Sequence, residues 1–180
     1  MCGKRGLVID RLAGGGAGDV VAVTTRRSAA AFEGDDVAAG LSVVGCVSRL
    51  GGVGDVADGP ARRCVSDPGD LTGIGIAVTG LLRGAADRGA APWLGIHSLS
   101  TMRMYADVER VFRFLHVLAG RVRALDGVLV AAADADAAED VGVLAQPFDG
   151  RLDVRETDAG GREVRSRGVP VAPRTWTPLG

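Results

Sequence analysis

The chain has 180 residues, 47% of them apolar, with a mean hydropathy of +0.20, which suits one domain with a full core and excludes a disordered tail. Its 21 Lys and Arg against 22 Asp and Glu leave a formal charge of −1, so net charge steers it to neither nucleic acid nor anionic lipid. No apolar run approaches the roughly 20 residues of a membrane span, and Asp10 and Arg11 interrupt Gly6-Leu7-Val8-Ile9 too early for a signal peptide; a cytoplasmic protein is expected.

Gly6 to Ile9 reads as a short strand or a helix start, and Leu12 to Gly18 as a glycine-rich loop. Asp19 to Thr25 is a continuously apolar, β-branched run, the pattern of a strand buried on both faces. Ser28 is placed to cap a helix through Phe32. Leu41 to Val47 is a second buried strand, followed by a loop-like stretch from Arg49 to Arg63. Asp70 is placed to cap a helix from Leu71 towards Arg88, with Leu71, Ile74, Val78, Leu81, Leu82 and Ala85 at helical spacing and Gly89 as its stop. Gly73, Gly75, Gly80 and Gly84 each weaken that helix by roughly 1 kcal/mol, and close packing onto a sheet is the expected reason for them.

Trp93 to Ile96 is the third strand. From Ala106 to Leu125, Val108, Val111, Phe112, Leu115, Leu118, Val122 and Leu125 form one apolar stripe, with His116 on the polar side. Gly127 to Ala132 is a fourth buried strand, and Asp136 to Ala145 a short helix. Arg151 to Arg155 and Arg162 to Ser166 alternate about the turn Asp158-Ala159-Gly160-Gly161 and should pair as a hairpin. Strands alternating with helices call for a mostly parallel α/β sheet covered on both faces, with an antiparallel hairpin at the C-terminal end. Residues 1–170 read as a single domain and 171–180 as a proline-punctuated tail.

Cys2, Cys46 and Cys64 are widely spaced and form no C-x-x-C pair, which suits packed, reduced thiols and not a zinc site. A phosphate-binding loop needs glycines, a lysine and a hydroxyl together. Lys4, the single lysine, lies too near the start to complete one, and Gly14 to Gly18 and Gly51 to Gly54 lack it. The dinucleotide fingerprint fails too, because Asp19 stands where its last glycine should be. No G-x-S-x-G elbow exposes a serine, so Ser98 or Ser100 with His97 makes a weak hydrolase. Asp134, Asp136, Glu139 and Asp140 cluster after the fourth strand and suit a charged helix start as well as acid–base chemistry. The pairs Arg26-Arg27 and Arg62-Arg63 read as solvated surface.

At Asp70-Leu71-Thr72-Gly73-Ile74-Gly75-Ile76, at Ile96-His97-Ser98-Leu99-Ser100 and at Val111 to Val122, with its Phe-Arg-Phe-Leu-His run and Gly-Arg-Val, the chain resembles the small RecA-superfamily, KaiC-like proteins of haloarchaea. The resemblance covers roughly Asp19 to Pro170. It implies a three-layer RecA-like core of the P-loop NTPase kind, with helices on both faces. In catalytic relatives the Walker B aspartate falls where His97 stands, and the Walker A loop precedes the first long helix. This chain has neither. An imidazole is a poor ligand for Mg²⁺, and a lone histidine at a strand end is more often a drifted position than a site.

The resulting expectation is a degenerate, non-hydrolysing RecA/KaiC-like module, a pseudo-ATPase acting through a protein partner or self-association in regulation or signalling. No catalytic residue, metal ligand or cofactor is assigned. ATP with Mg²⁺ is unsupported by any motif, and His97, Ser98 and Ser100 are the only cofactor-binding candidates. The alternatives are an ATPase-like enzyme with a rearranged site, using His97 with the Asp134–Asp140 cluster, and a structural scaffold.

Overall fold

Every strand of the main sheet runs the same way. The computed structural model describes residues 19–25, 40–46, 59, 61–134, 138–169 and 172–179. Within them β1 (Val20–Thr24), β2 (Leu41–Cys46), β3 (Arg62–Val65), β4 (Trp93–His97) and β5 (Val128–Ala132) form a parallel sheet of order β3-β2-β1-β4-β5. The centre of the sheet is the most apolar part of the chain: all five residues of β1 are buried, as strands covered on both faces require.

Helix α1 (Leu71–Asp87) carries the chain from β3 back across the sheet to β4, and α2 (Leu99–Arg103) and α3 (Val108–Arg123) connect β4 to β5. One sheet face presents Val21, Val23, Val44, Cys46, Leu94 and Ile96 to Ile74, Val78 and Leu82 of α1 and to Val111, Leu115 and Leu118 of α3. Val20, Ala22, Leu41 and Val43 pack with Trp93 and Val130 on the opposite face. Right-handed crossovers put α1 and α3 on the same side, because both advance the chain towards β5.

Local chemistry sets the helix ends. The Asp70 carboxylate accepts from Gly73 N–H at 2.8 Å, and that of Asp107 from Arg110 N–H at 2.8 Å; each satisfies a donor that the first turn leaves open. Because Asp107 is the cap, α3 begins at Val108 and not at Ala106. A Cβ at Gly127 would collide with the Pro92 carbonyl, so glycine lets the chain enter β5 directly beside β4.

A short helix α4 (Ala138–Leu144) leads into a second sheet of order β6-β7-β8, with β6 (Arg151–Glu156), β7 (Arg162–Arg167) and β8 (Thr177–Pro178) antiparallel. Thus the expected hairpin forms and gains a third strand. The parallel α/β sheet also forms, with two further differences. β3 begins in the last two residues of the stretch expected as a loop and continues through Cys64 and Val65, to which no element was assigned, since Arg-Arg-Cys-Val has no apolar run; it is an edge strand whose side chains are mostly half-exposed, so it needs none. α2, at five residues, is too short to show periodicity. The expected helix from Ser28, the segment Gly6–Ile9, the glycine runs at 14–18 and 51–54, Lys4, Cys2, Arg26-Arg27 and Asp136 lie outside the described residues. No helix among the described residues is long and apolar enough to cross a membrane.

Candidate functional site

The chain leaves β1 towards β2 on one side and returns to β4 on the other, so the carboxyl ends of β1 and β4 form the switch point where open α/β sheets bind ligands. Register sets Thr24 beside His97 there. Both strands end as their apolar runs end, and the residues that follow are hydroxyl-bearing: Thr25 after β1, Ser98, Ser100 and Thr101 after β4.

Those hydroxyls hold the two strand ends together. Thr25 N–H donates to His97 O at 2.9 Å, its Oγ1 to the same carbonyl at 3.3 Å, and Ser98 N–H donates to Thr25 Oγ1 at 3.1 Å. The His97–Ser98 peptide is cis. Ser98 caps α2: its Oγ accepts from Thr101 N–H at 3.2 Å and lies 3.1 Å from Thr101 Oγ1. Ser100 Oγ accepts from Asp134 N–H at 2.8 Å, tying the end of β5 to α2. Thr24, Thr25 and Ser98 are all buried. Buried hydroxyls that find partners cost little; they also have less left to offer a ligand.

The candidates His97, Ser98 and Ser100 therefore do meet at one place. Of the acidic cluster, Asp136 and the Glu139 side chain lie outside the described residues. Asp140 accepts from Arg103 Nε at 2.7 Å, which joins α4 to α2, while Asp134 contributes its main-chain N–H to Ser100. Among the described residues no group of three or more His, Cys, Asp and Glu is arranged to hold a metal ion. Cys46, at the end of β2, is buried; burial pushes its thiol up to about 12, with the Cys64 and Asp70 charges adding to the effect. It is a protonated packing group and not a nucleophile. His116 is exposed on α3 and stacks on Phe112. Arg63 of the 62–63 pair donates to the carbonyls of Gly59 and Arg62.

Sequence reasoning missed Thr25 and Thr101 as members of this cluster. Their signal was position alone, one step beyond an apolar run and three residues into a capped turn. It also missed Asp153 on β6, whose carboxylate receives Arg151, Arg165 and Arg167, with the Arg155 and Arg165 guanidinium groups over the Trp176 ring at 4.2 and 4.6 Å.

No curated protein matches the chain. One family profile covers residues 2–154, all of the parallel sheet and the first part of β6. By that match the chain belongs to DUF7504, a family of unknown function.

Proposed function

We propose that the chain is a RecA/KaiC-like three-layer module that neither holds nor hydrolyses a nucleoside triphosphate and acts through protein contacts, in regulation or signalling. The observation that carries this reading is the chemistry of the β1–β4 switch point. A triphosphate site there needs cationic and main-chain donors for phosphate and a carboxylate for Mg²⁺. Among the described residues the strand ends carry His97 and a set of hydroxyls already bonded to one another and to the main chain. The sheet order and the helices on the α1–α3 face are compatible with the RecA-like scaffold, and a scaffold can persist when its chemistry changes.

Phosphate release from ATP with Mg²⁺ tests it, using purified protein and a His97→Ala variant at several salt concentrations. No turnover above the protein-free rate is expected. Turnover that the His97 substitution removes would overturn the proposal in favour of an enzyme with a rearranged site.

A further inference from the structure

We infer that the outer edge of β6 is a strand-addition surface and that its occupant is a second copy of this chain, paired antiparallel about Val154. The inference gives the protein-contact reading a definite surface, and rests on that reading only in taking polypeptide as the occupant.

Among the described residues β6 is the first strand of its sheet, paired on one side only, with β7. The ladder fixes which of its backbone groups face outward. Thr157 N–H donates to Gly161 O at 2.9 Å, one step beyond the Glu156–Arg162 pair. Bonded and non-bonded pairs alternate along an antiparallel ladder. Arg155, Asp153 and Arg151 therefore bond to β7, and Leu152, Val154 and Glu156 turn N–H and C=O away from it. The far side of β7 agrees: Arg162 O accepts from Leu179 N–H, and Ser166 N–H donates to Pro173 O. These are the residues opposite Glu156 and Leu152, and both point away from β6.

Two of the three residues with outward backbone groups also carry exposed apolar side chains. Leu152 is 56% exposed and Val154 38%. An open edge with apolar side chains is a template for another strand.

Charge selects the occupant and the register. Side chains keep to their own face of a continuous sheet, so a two-fold antiparallel pairing centres on a residue. Centred on Asp153 it sets Asp against Asp and Arg151 against Arg155, and centred on Arg155 it sets Arg against Arg; facing like charges are destabilising. Centred on Leu152, Arg151 meets Asp153, but only residues 151–153 of the strand pair. Centred on Val154, Asp153 faces Arg155 of the second copy and the reverse, while Val154 packs on itself. Leu152 then lies along the methylenes of Glu156 of the second copy. The facing pairs 152–156, 154–154 and 156–152 are then the ones whose N–H and C=O point outward. Charges on an edge usually deter pairing; here the alternation Arg-x-Asp-x-Arg complements itself when shifted.

The test is sedimentation of the full chain from about 10 µM to about 1 mM, with backbone amide exchange at both ends of that range. A concentration-dependent dimer is expected, with exchange at Leu152, Val154 and Glu156 slowed in the concentrated sample. Val154→Pro removes the outward donor at the centre and leaves the bonds to β7, so it should weaken the dimer about tenfold or more. Val154→Lys, which sets two ammonium groups on the axis, decides the matter if the proline variant fails to fold. A chain that stays monomeric throughout, a dimer indifferent to these substitutions, or unchanged exchange at the three amides would overturn the inference. Any of these results is independent of the phosphate-release assay, so the two readings fail separately.

Discussion

Replacing Asp153 with Asn should loosen the C-terminal sheet while leaving the parallel sheet in place. The Asp153 side chain is 11% exposed and receives Arg165 at 2.9 Å, Arg167 at 3.2 Å and Arg151 at 2.5 Å. Arg165 is the least exposed of the three, and its charge-assisted bond contributes about 1.5–3 kcal/mol. Arg151 and Arg167 are more open to water, so each adds a few tenths. They stand directly opposite one another and repel once the carboxylate charge is gone. The expected loss is about 2–3 kcal/mol.

Acid titration supplies a second signature. Burial by itself raises the Asp153 carboxyl, but hydrogen bonds from Arg165 and Arg151, with the charges of Arg151 and Arg167, outweigh it and hold the group below the usual carboxylate range. A lowered folded-state value means the stabilisation is complete above the unfolded value of about 3.9 and is lost as pH falls through the folded one. The gap between parent and variant should therefore be full at neutral pH and close in acid. Urea unfolding followed by Trp176 fluorescence in a Trp93→Phe background reads it, since Arg155 and Arg165 lie on the Trp176 ring. A variant within about 0.5 kcal/mol of its parent at neutral pH, with the same acid limb, would refute the reasoning.

Leu115 is fully buried between α3 and the sheet, so Leu115→Ala should cost about 2–5 kcal/mol in denaturant unfolding; a loss under about 1 kcal/mol would contradict that placement. Two glycines of α1 should respond oppositely. Gly80 is exposed with open space around an added Cβ, whereas a Cβ at Gly73 would overlap the Asp70 carboxylate; Gly80→Ala should raise stability by about 0.5–1 kcal/mol and Gly73→Ala should lower it. In a Cys2→Ser background, a thiol reagent should label exposed Cys64 in the folded protein and buried Cys46 only on unfolding. With its folded-state value raised to about 12, Cys46 contributes stability that is complete below the unfolded value of about 8.5 and is lost as pH rises above it. Cys46→Ala should flatten the alkaline limb.

The elements legible in the sequence were those whose burial is written as composition or period. β1, β2, β4 and β5 are short apolar runs, α1 carries a stripe together with its capping Asp70, and α3 was read from its stripe alone, its Asp107 cap emerging only in the structure. The hairpin alternated as a half-exposed ladder should. β3 and β8 were hidden because an edge strand needs few apolar residues, and β8 is held by main-chain bonds to β7. The glycines of α1 were assigned to sheet packing, but Gly73 makes room for the cap, Gly75 faces Phe114 of α3, and among the described residues Gly80 and Gly84 face no packed neighbour beyond the Arg88 side chain. At the candidate site, the strand end and its His97-Ser98 pair were visible. The partnership of Ser98 with Thr25 was not, because it spans 73 residues and no local pattern encodes such a contact.

Thermal unfolding with and without millimolar ATP and Mg²⁺ asks whether the β1–β4 switch point holds a triphosphate. A triphosphate held a hundredfold above its dissociation constant adds about 2.7 kcal/mol, which for a chain of this size is roughly 5–10 °C in Tm. The Tm should be unchanged by ATP, by Mg²⁺ and by both together. A rise of that size, dependent on Mg²⁺ and removed by substituting His97, would contradict it.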